Sequence, residues 1–139
     1  MSDLLYKDEV SKLVGRCLEI HGELGRGQDE VLYQDAFTVE LQRAQIPFAR
    51  ERKYEVTCKG VILPHHYFAD FVVWDKILFE AKAVERLTEV QVKQALNYLA
   101  ASKLELGLPV NFGADSLEWK RVVLTKKTKP AELSKGFRI

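Results

Sequence analysis

A chain of 139 residues, 47% apolar and 29% charged, is long enough to bury one real core and too short for two domains. That balance excludes a collagen-like or wholly disordered chain, and no uncharged apolar run approaches the ~20 residues of a membrane helix. The net charge of +1 hides an asymmetry: residues 125–139 hold Lys126, Lys127, Lys129, Lys135 and Arg138 against Glu132, which leaves residues 1–124 at −3.

The body is therefore no basic DNA-binding block. Contacts with a polyanion must come from local patches, of which the tail is the plainest. The segment MSDLLYKDEV lacks the basic-then-apolar order of a secretory signal. Cys17 and Cys58 make neither a disulfide framework nor a metal motif, so buried thiols in a reducing cytoplasm are expected.

The first helix is expected over about 8–24, where Val10, Leu13, Val14, Cys17, Leu18 and His21 form one stripe. Gly25-Arg26-Gly27 breaks it. A second helix, about 29–45, carries Leu32, Ala36, Phe37, Val39 and Leu41 as its apolar face and ends at Gln45-Ile46-Pro47. The period then changes. Phe48 to Cys58 reads as a strand, Lys59-Gly60 as a turn and Val61-Ile62-Leu63 as a strand that Pro64 interrupts. Tyr67 to Val73 and Ile77 to Lys82 are two more strands, joined at Trp74-Asp75-Lys76 in a β-meander. A third helix is expected over about 88–102, with Thr88 as its N-cap. Leu104 to Phe112 and Trp119 to Leu124 complete the set as strands. The order α-α-β-meander-α-β-β fits one α/β domain over 1–124, a mixed sheet with flanking helices, followed by a basic tail over 125–139.

The chemistry concentrates in the hairpin. Asp70 and Glu80 are acids within apolar strands, each five residues from Asp75, so they lie opposite each other or within one residue of it. Directly opposed side chains have Cβ atoms ~4.5–5.5 Å apart. Carboxylates that close repel unless a positive group sits between them. Lys82, two residues beyond Glu80 and on the same face, is one candidate. A divalent cation is the other. The plain alternative is a structural ion pair of Lys82 with Glu80 or Asp70. The metal reading uses more of the set. Mg²⁺ or Mn²⁺ takes hard oxygen ligands, here two carboxylates and the carbonyl of Ala81, and keeps positions for water and a phosphate oxygen. Lys82 would then orient or deprotonate the attacking water, or stabilise the pentavalent phosphate. On the third helix Gln91, Gln94 and Tyr98 share a face. Gln94 can hold a phosphate, a water or Lys82, with Tyr98 behind it, or the glutamines simply face water.

Asp70 followed by Glu80-Ala81-Lys82 resembles the D…(D/E)-x-K signature of the PD-(D/E)XK nuclease superfamily. Gln94-Ala95-Leu96-Asn97-Tyr98 is similar to the Q-x-x-x-Y motif of its RecB and lambda-exonuclease branch. Gly27-Gln28-Asp29-Glu30-Val31-Leu32-Tyr33 resembles the motif of the small GxxExxY proteins, and His21-Gly22, Tyr67, Leu96-Asn97-Tyr98-Leu99 and Val110-Asn111-Phe112-Gly113 match their surroundings. The resemblance spans roughly residues 8–124. It implies a restriction-endonuclease-like core, with Glu30, Asp70 and Glu80 as metal-site acids, Lys82 as catalytic lysine, and Gln94 with Tyr98 as motif partners. Read alone, Glu30 is a first-turn glutamate favoured by the helix dipole, and Tyr33 reads as packing. The chain departs from the pattern at Gln91, often a histidine, at Gln28-Asp29 and at Pro64-His65-His66.

His21, on an apolar stripe, reads first as a hydrogen-bonded core residue. His65 and His66 point to opposite faces of an extended chain and chelate poorly. No Ser-His-Asp order, P-loop or dinucleotide fingerprint is present. Three functions follow as expectations. The first is a metal-dependent nuclease acting on DNA. The second is a catalytically silent interaction module or partner-binding subunit, favoured by the acidic body. The third is an enzyme processing a small nucleotide or an RNA end. A protein partner or a second copy of the chain is expected to supply binding surface, and no membrane is involved.

Overall fold

The structure, a computed structural model, describes residues 4–125. The tail beyond Thr125 lies outside the described residues.

Helix α1 spans Lys7–Leu24, and the Gly25 N–H returns to His21 O at 2.9 Å. Its buried side is Val10, Leu13, Val14, Cys17 and Ile20, whereas Leu18 faces solvent. Helix α2 spans Glu30–Arg43. Its buried residues, Tyr33, Phe37 and Leu41, repeat every four residues, so Leu32 and Val39 fall outside the stripe and stay exposed. Gln45 takes the left-handed conformation (φ 56°) and Ile46 N–H closes back on Leu41 O, which ends the helix at Arg43, short of the expected 45 and four residues before Pro47.

Strands β1 (Phe48–Cys58) and β2 (Val61–Val73) form a long hairpin over a two-residue turn, Lys59-Gly60, in which both residues have positive φ. β2 is continuous through Pro64, contrary to the expected break. The β1–β2 register shifts between Glu55↔His66 and Thr57↔Ile62, so Leu63, Pro64 and His65 fall in an irregular stretch where proline forfeits no ladder bond. Strand β3 (Ile77–Lys82) pairs antiparallel with the end of β2. Helix α3 (Glu89–Ser102) then crosses over and β4 (Leu106–Asn111) lies parallel to β3. The last expected strand is two short pieces, β5 (Glu118–Trp119) and β6 (Val122–Val123), both antiparallel to β4. The six-stranded sheet runs β1-β2-β3-β4 and ends on β5 and β6.

Alternation along the central strands sends side chains to two cores. Phe71, Val73, Ile77, Phe79, Leu108 and Val110 pack with α1 and α2, where Phe37 stacks on Phe79 at 3.9 Å. Val72, Leu78 and Val122 pack with Ala95, Leu96 and Leu99 of α3 on the opposite face. Glu80 and Lys82 share the parity of Leu78 and so belong to the α3 face.

Candidate active site

The β2–β3 ladder stops at Phe71↔Phe79, and Asp70 and Glu80 are the next opposed residues. Here the strands part and the carboxylates take over the bonding. Glu80 Oε2 accepts from the Asp70 N–H at 3.3 Å, and Asp70 Oδ2 accepts from the Ala81 N–H at 2.9 Å. A second irregularity lies on the other side of Asp70. The β1–β2 ladder passes from Arg50↔Phe71 to Arg52↔Ala69 and skips Glu51, whose φ is 54°. Positive φ is uncommon for a residue with a Cβ, and such irregularities cluster beside functional sites.

Glu80 is 4% exposed, and its Oε1 is buried with no hydrogen-bond partner. Burial first, then the charge and hydrogen bonding of Asp70, pushes its carboxyl up to about 9, while Lys82 pulls weakly the other way. Among the described residues Lys82 forms no ion pair. Its Nζ donates instead to Gln94 Oε1 at 3.2 Å. The structural ion pair that the sequence left open is therefore not what holds these acids together. Tyr98 stands half-buried beside them, and burial followed by the charges of Glu80 and Asp70 raises its hydroxyl. Thus Asp70, Glu80, Lys82, Gln94 and Tyr98 occupy one end of the sheet under α3. Gln91 is absent from this group. Its Oε1 accepts from the Thr88 N–H at 2.7 Å, closing a capping box at the start of α3.

Glu30 arrives from α2. Its Oε2 accepts from the Ala83 N–H at 3.1 Å, one residue past Lys82. Among the described residues no three His, Cys, Asp or Glu side chains converge as a ready metal cluster, so Glu30 is not gathered with the other two acids. The rest of its motif is structural. Gly27 has φ 95°, and the fully buried Tyr33 donates its hydroxyl to Gly25 O at 2.5 Å while stacking on Phe112. His21 hydrogen-bonds through Nε2 to Ala114 O at 2.9 Å, as a satisfied core histidine does.

The sequence reading left one group of residues without a role, although it quoted Asn111 and Gly113 among the matching surroundings. The loop from Ala83 to Thr88 joins the Lys82 strand to the Gln94 helix, and buried Asn111 clamps it. Asn111 Oδ1 accepts from the Val84 and Gly113 N–H groups, and its Nδ2 donates to Val84 O and to Glu118 Oε1. Glu118 Oε1 also accepts from the Leu87 N–H. These bonds hold the Glu118 carboxylate below its usual range, that from Asn111 most strongly. A Cβ on Gly113 would run into the Val84 backbone. The available signal was a lone polar residue at the end of an apolar strand, Leu106 to Phe112. Asn111→Ala is expected to destabilise the protein by about 1–3 kcal/mol through the backbone groups it orphans. Gly113→Ala should cost a similar amount through the forced shift of Val84. Urea unfolding measures both, and wild-type midpoints would remove the clamp from this description.

The three-layer arrangement, a mixed sheet with two helices on one face and a crossover helix on the other, defines a restriction-endonuclease-like α/β domain. Residues 7–122 match the family model of the PD-(D/E)XK nuclease superfamily, and the chain belongs to that superfamily. A solved structure titled "Crystal structure of SSO0001" is similar over 94% of this chain, with a TM-score of 0.55 and 16% identity. Identity that low shows the shared fold alone, and the chain spans 65% of that protein's length. No curated protein matches the sequence.

Proposed function

We propose that the protein is a divalent-metal-dependent phosphodiesterase that hydrolyses nucleic acid, DNA foremost. One observation carries the reading. Two opposed acids are held at the end of a hairpin, one of them buried with an oxygen that nothing satisfies, and no described cation is within ion-pairing distance. A buried carboxyl oxygen without a partner is costly, and an acid pair kept without use would be a net burden on the fold. A hard cation fits this donor set. Asp70 and Glu80, with the Ala81 carbonyl, would hold Mg²⁺ or Mn²⁺, which when bound supplies positive charge for the phosphate and a more acidic water.

The remaining steps belong to the chain. Asp70 is oriented by the Ala81 N–H. Gln94 aims the Lys82 ammonium, which stabilises charge developing on the phosphate oxygens or positions the attacking water. Tyr98 backs this pair. Glu30 enters as a supporting acid that fixes the strand end just past Lys82. The GxxExxY assignment is supported by the positive φ of Gly27, by Tyr33, whose hydroxyl holds the α1–α2 loop at Gly25, and by Glu30, which reaches the strand end at Ala83, and the RecB-like branch by the Lys82–Gln94 bond. Cys17 is buried as expected, Cys58 is exposed rather than buried, and both free thiols suit a reducing cytoplasm. No helix among the described residues is long and apolar enough to cross a membrane.

Lys82→Ala tests the division of labour. It should leave Mn²⁺ affinity near wild type and lower kcat by on the order of 10²–10⁴-fold, the usual range for a positioned proton-transfer or charge-stabilising group. Metal affinity lost together with turnover would contradict a separate role for the lysine.

A further inference from the structure

A flat strand keeps residues i, i+2 and i+4 on one face of its sheet. The β1–β2 hairpin departs from this at one level, in both strands. In β2, Phe71 packs in the core under α1 and α2, whereas Ala69 packs in the core under α3. Tyr67, two residues further back, meets Tyr98 of α3 with ring centroids 4.8 Å apart. In β1, the Arg50 guanidinium lies over Phe71 and bonds to Gln34, Asp35 and Thr38 of α2. Tyr54 has the same parity as Arg50, yet it packs against the α3 core. Each strand therefore turns over between these residues, where Glu51 stands opposite Asp70.

The pairing does not slip there. Arg50↔Phe71 and Arg52↔Ala69 belong to one register, so no residue is inserted as in an ordinary bulge. What changes is the backbone. Glu51 has φ 54°, and among the described residues every other positive φ lies in a turn, a loop or at a helix end. A single left-handed residue rotates the peptide planes that follow it, which lets an extended chain change faces without gaining a residue. The Glu51 side chain is exposed and makes no hydrogen bond or ion pair with a described residue. Its carboxylate is thus idle while its backbone is strained.

The consequence falls on Asp70. At the turnover its side chain enters neither core. The carboxylate lies in the gap between β2 and β3, where Oδ2 accepts from the Ala81 N–H and Glu80 Oε2 accepts from the Asp70 N–H. In a flat β2, Asp70 would share the face of Val72 under α3, out of reach of that gap.

We propose that Glu51 is a positioning residue: its left-handed backbone, not its carboxylate, turns the hairpin over and so aims Asp70 into the gap beside Glu80. The consequence for a bound cation rests on the two-acid metal reading. The aim of Asp70 does not.

Substitutions that differ in their tolerance of positive φ test this in the full chain. Glycine adopts it freely, and a β-branched residue resists it. Amide hydrogen exchange, followed by NMR in EDTA, reads the Asp70–Ala81 bond without metal. Glu51→Val should speed exchange of the Ala81 amide by about tenfold while Phe79 and Leu108 stay protected. Glu51→Gly, which also lacks the carboxylate, should keep wild-type protection at Ala81. Glu51→Thr, β-branched but polar, replaces the valine variant if that one does not fold. Mn²⁺ titration should follow the same order, with affinity lowered about tenfold by the β-branched residue and kept by glycine. Ala81 protection unchanged in the β-branched variants would overturn the proposal, as would an equal loss in Glu51→Gly, which would place the role in the carboxylate. Protection lost throughout the core in both β-branched variants would overturn a local role. The predicted exchange pattern without Mn²⁺ binding by any form, wild type included, would sink the metal reading and leave Glu51 as the residue that aims Asp70.

Discussion

Asp70→Asn and Glu80→Gln are each expected to cut metal-dependent cleavage of nucleic acid by on the order of 10³-fold, because several kcal/mol of charge stabilisation are lost at tenfold per ~1.4 kcal/mol. The fold should survive both changes. Asn at position 70 still offers an oxygen to the Ala81 N–H, and Gln at position 80 still offers one to the Asp70 N–H. What disappears is the paired negative charge, not the bonding that closes the hairpin. The double variant should be scarcely worse than either single one, since the two acids act as a unit. Rates measured with a labelled oligonucleotide in Mn²⁺, alongside thermal melts, separate lost chemistry from lost structure. Cleavage at the wild-type rate by either variant would mean that the site lies elsewhere.

Glu80→Gln is also expected to stabilise the metal-free protein above about pH 5, by about 1–4 kcal/mol at neutral pH, because it removes an acid that folding forces to take up a proton. The sign follows from proton counting. Burial and the neighbouring Asp70 raise the folded carboxyl from its ordinary value of 4.5 to about 9. Between those limits the folded protein keeps a proton that the unfolded chain has released, so the Glu80 contribution to stability falls as pH rises through that window. The gap between variant and wild type should therefore widen from pH 5 toward pH 9. Urea unfolding in EDTA across that range measures it. A constant gap would show that Glu80 titrates as an ordinary surface acid. The same proton predicts that metal binding near pH 7 releases about one proton, because the ligand form is the carboxylate.

Much of this site was readable before the fold. The hairpin could be folded on paper because Asp70 and Glu80 are equidistant from Asp75, and the observed Phe71↔Phe79 pairing leaves them opposed. Thr88 signalled the start of α3 as its N-cap, whereas the capping role of Gln91, read as a site-facing residue, needed the structure. Other features needed three dimensions. Pro64 reads as a strand breaker unless the register shift that absorbs it is visible. Leu18, Leu32 and Val39 look like core to a periodicity argument, yet which apolar residues a helix buries depends on the angle at which it meets the sheet. Glu30 was placed with the acids by resemblance alone, and its bond to the Ala83 N–H joins residues far apart in sequence. Asn111 reads as an ordinary strand end until the loop that it clamps is in place. Glu51 carries no sign in its identity of the positive φ opposite Asp70. These features arise from long-range contacts, which local pattern does not encode.

Calorimetric titration of Mn²⁺ into metal-free protein, with Asp70→Asn as control, tests the two-acid site most directly. Binding in the wild type that vanishes in the variant, with a proton released in buffers of different ionisation enthalpy, is the predicted result. Equal binding by wild type and Asp70→Asn, or none by either even with an oligonucleotide present, would contradict a metal held between Asp70 and Glu80.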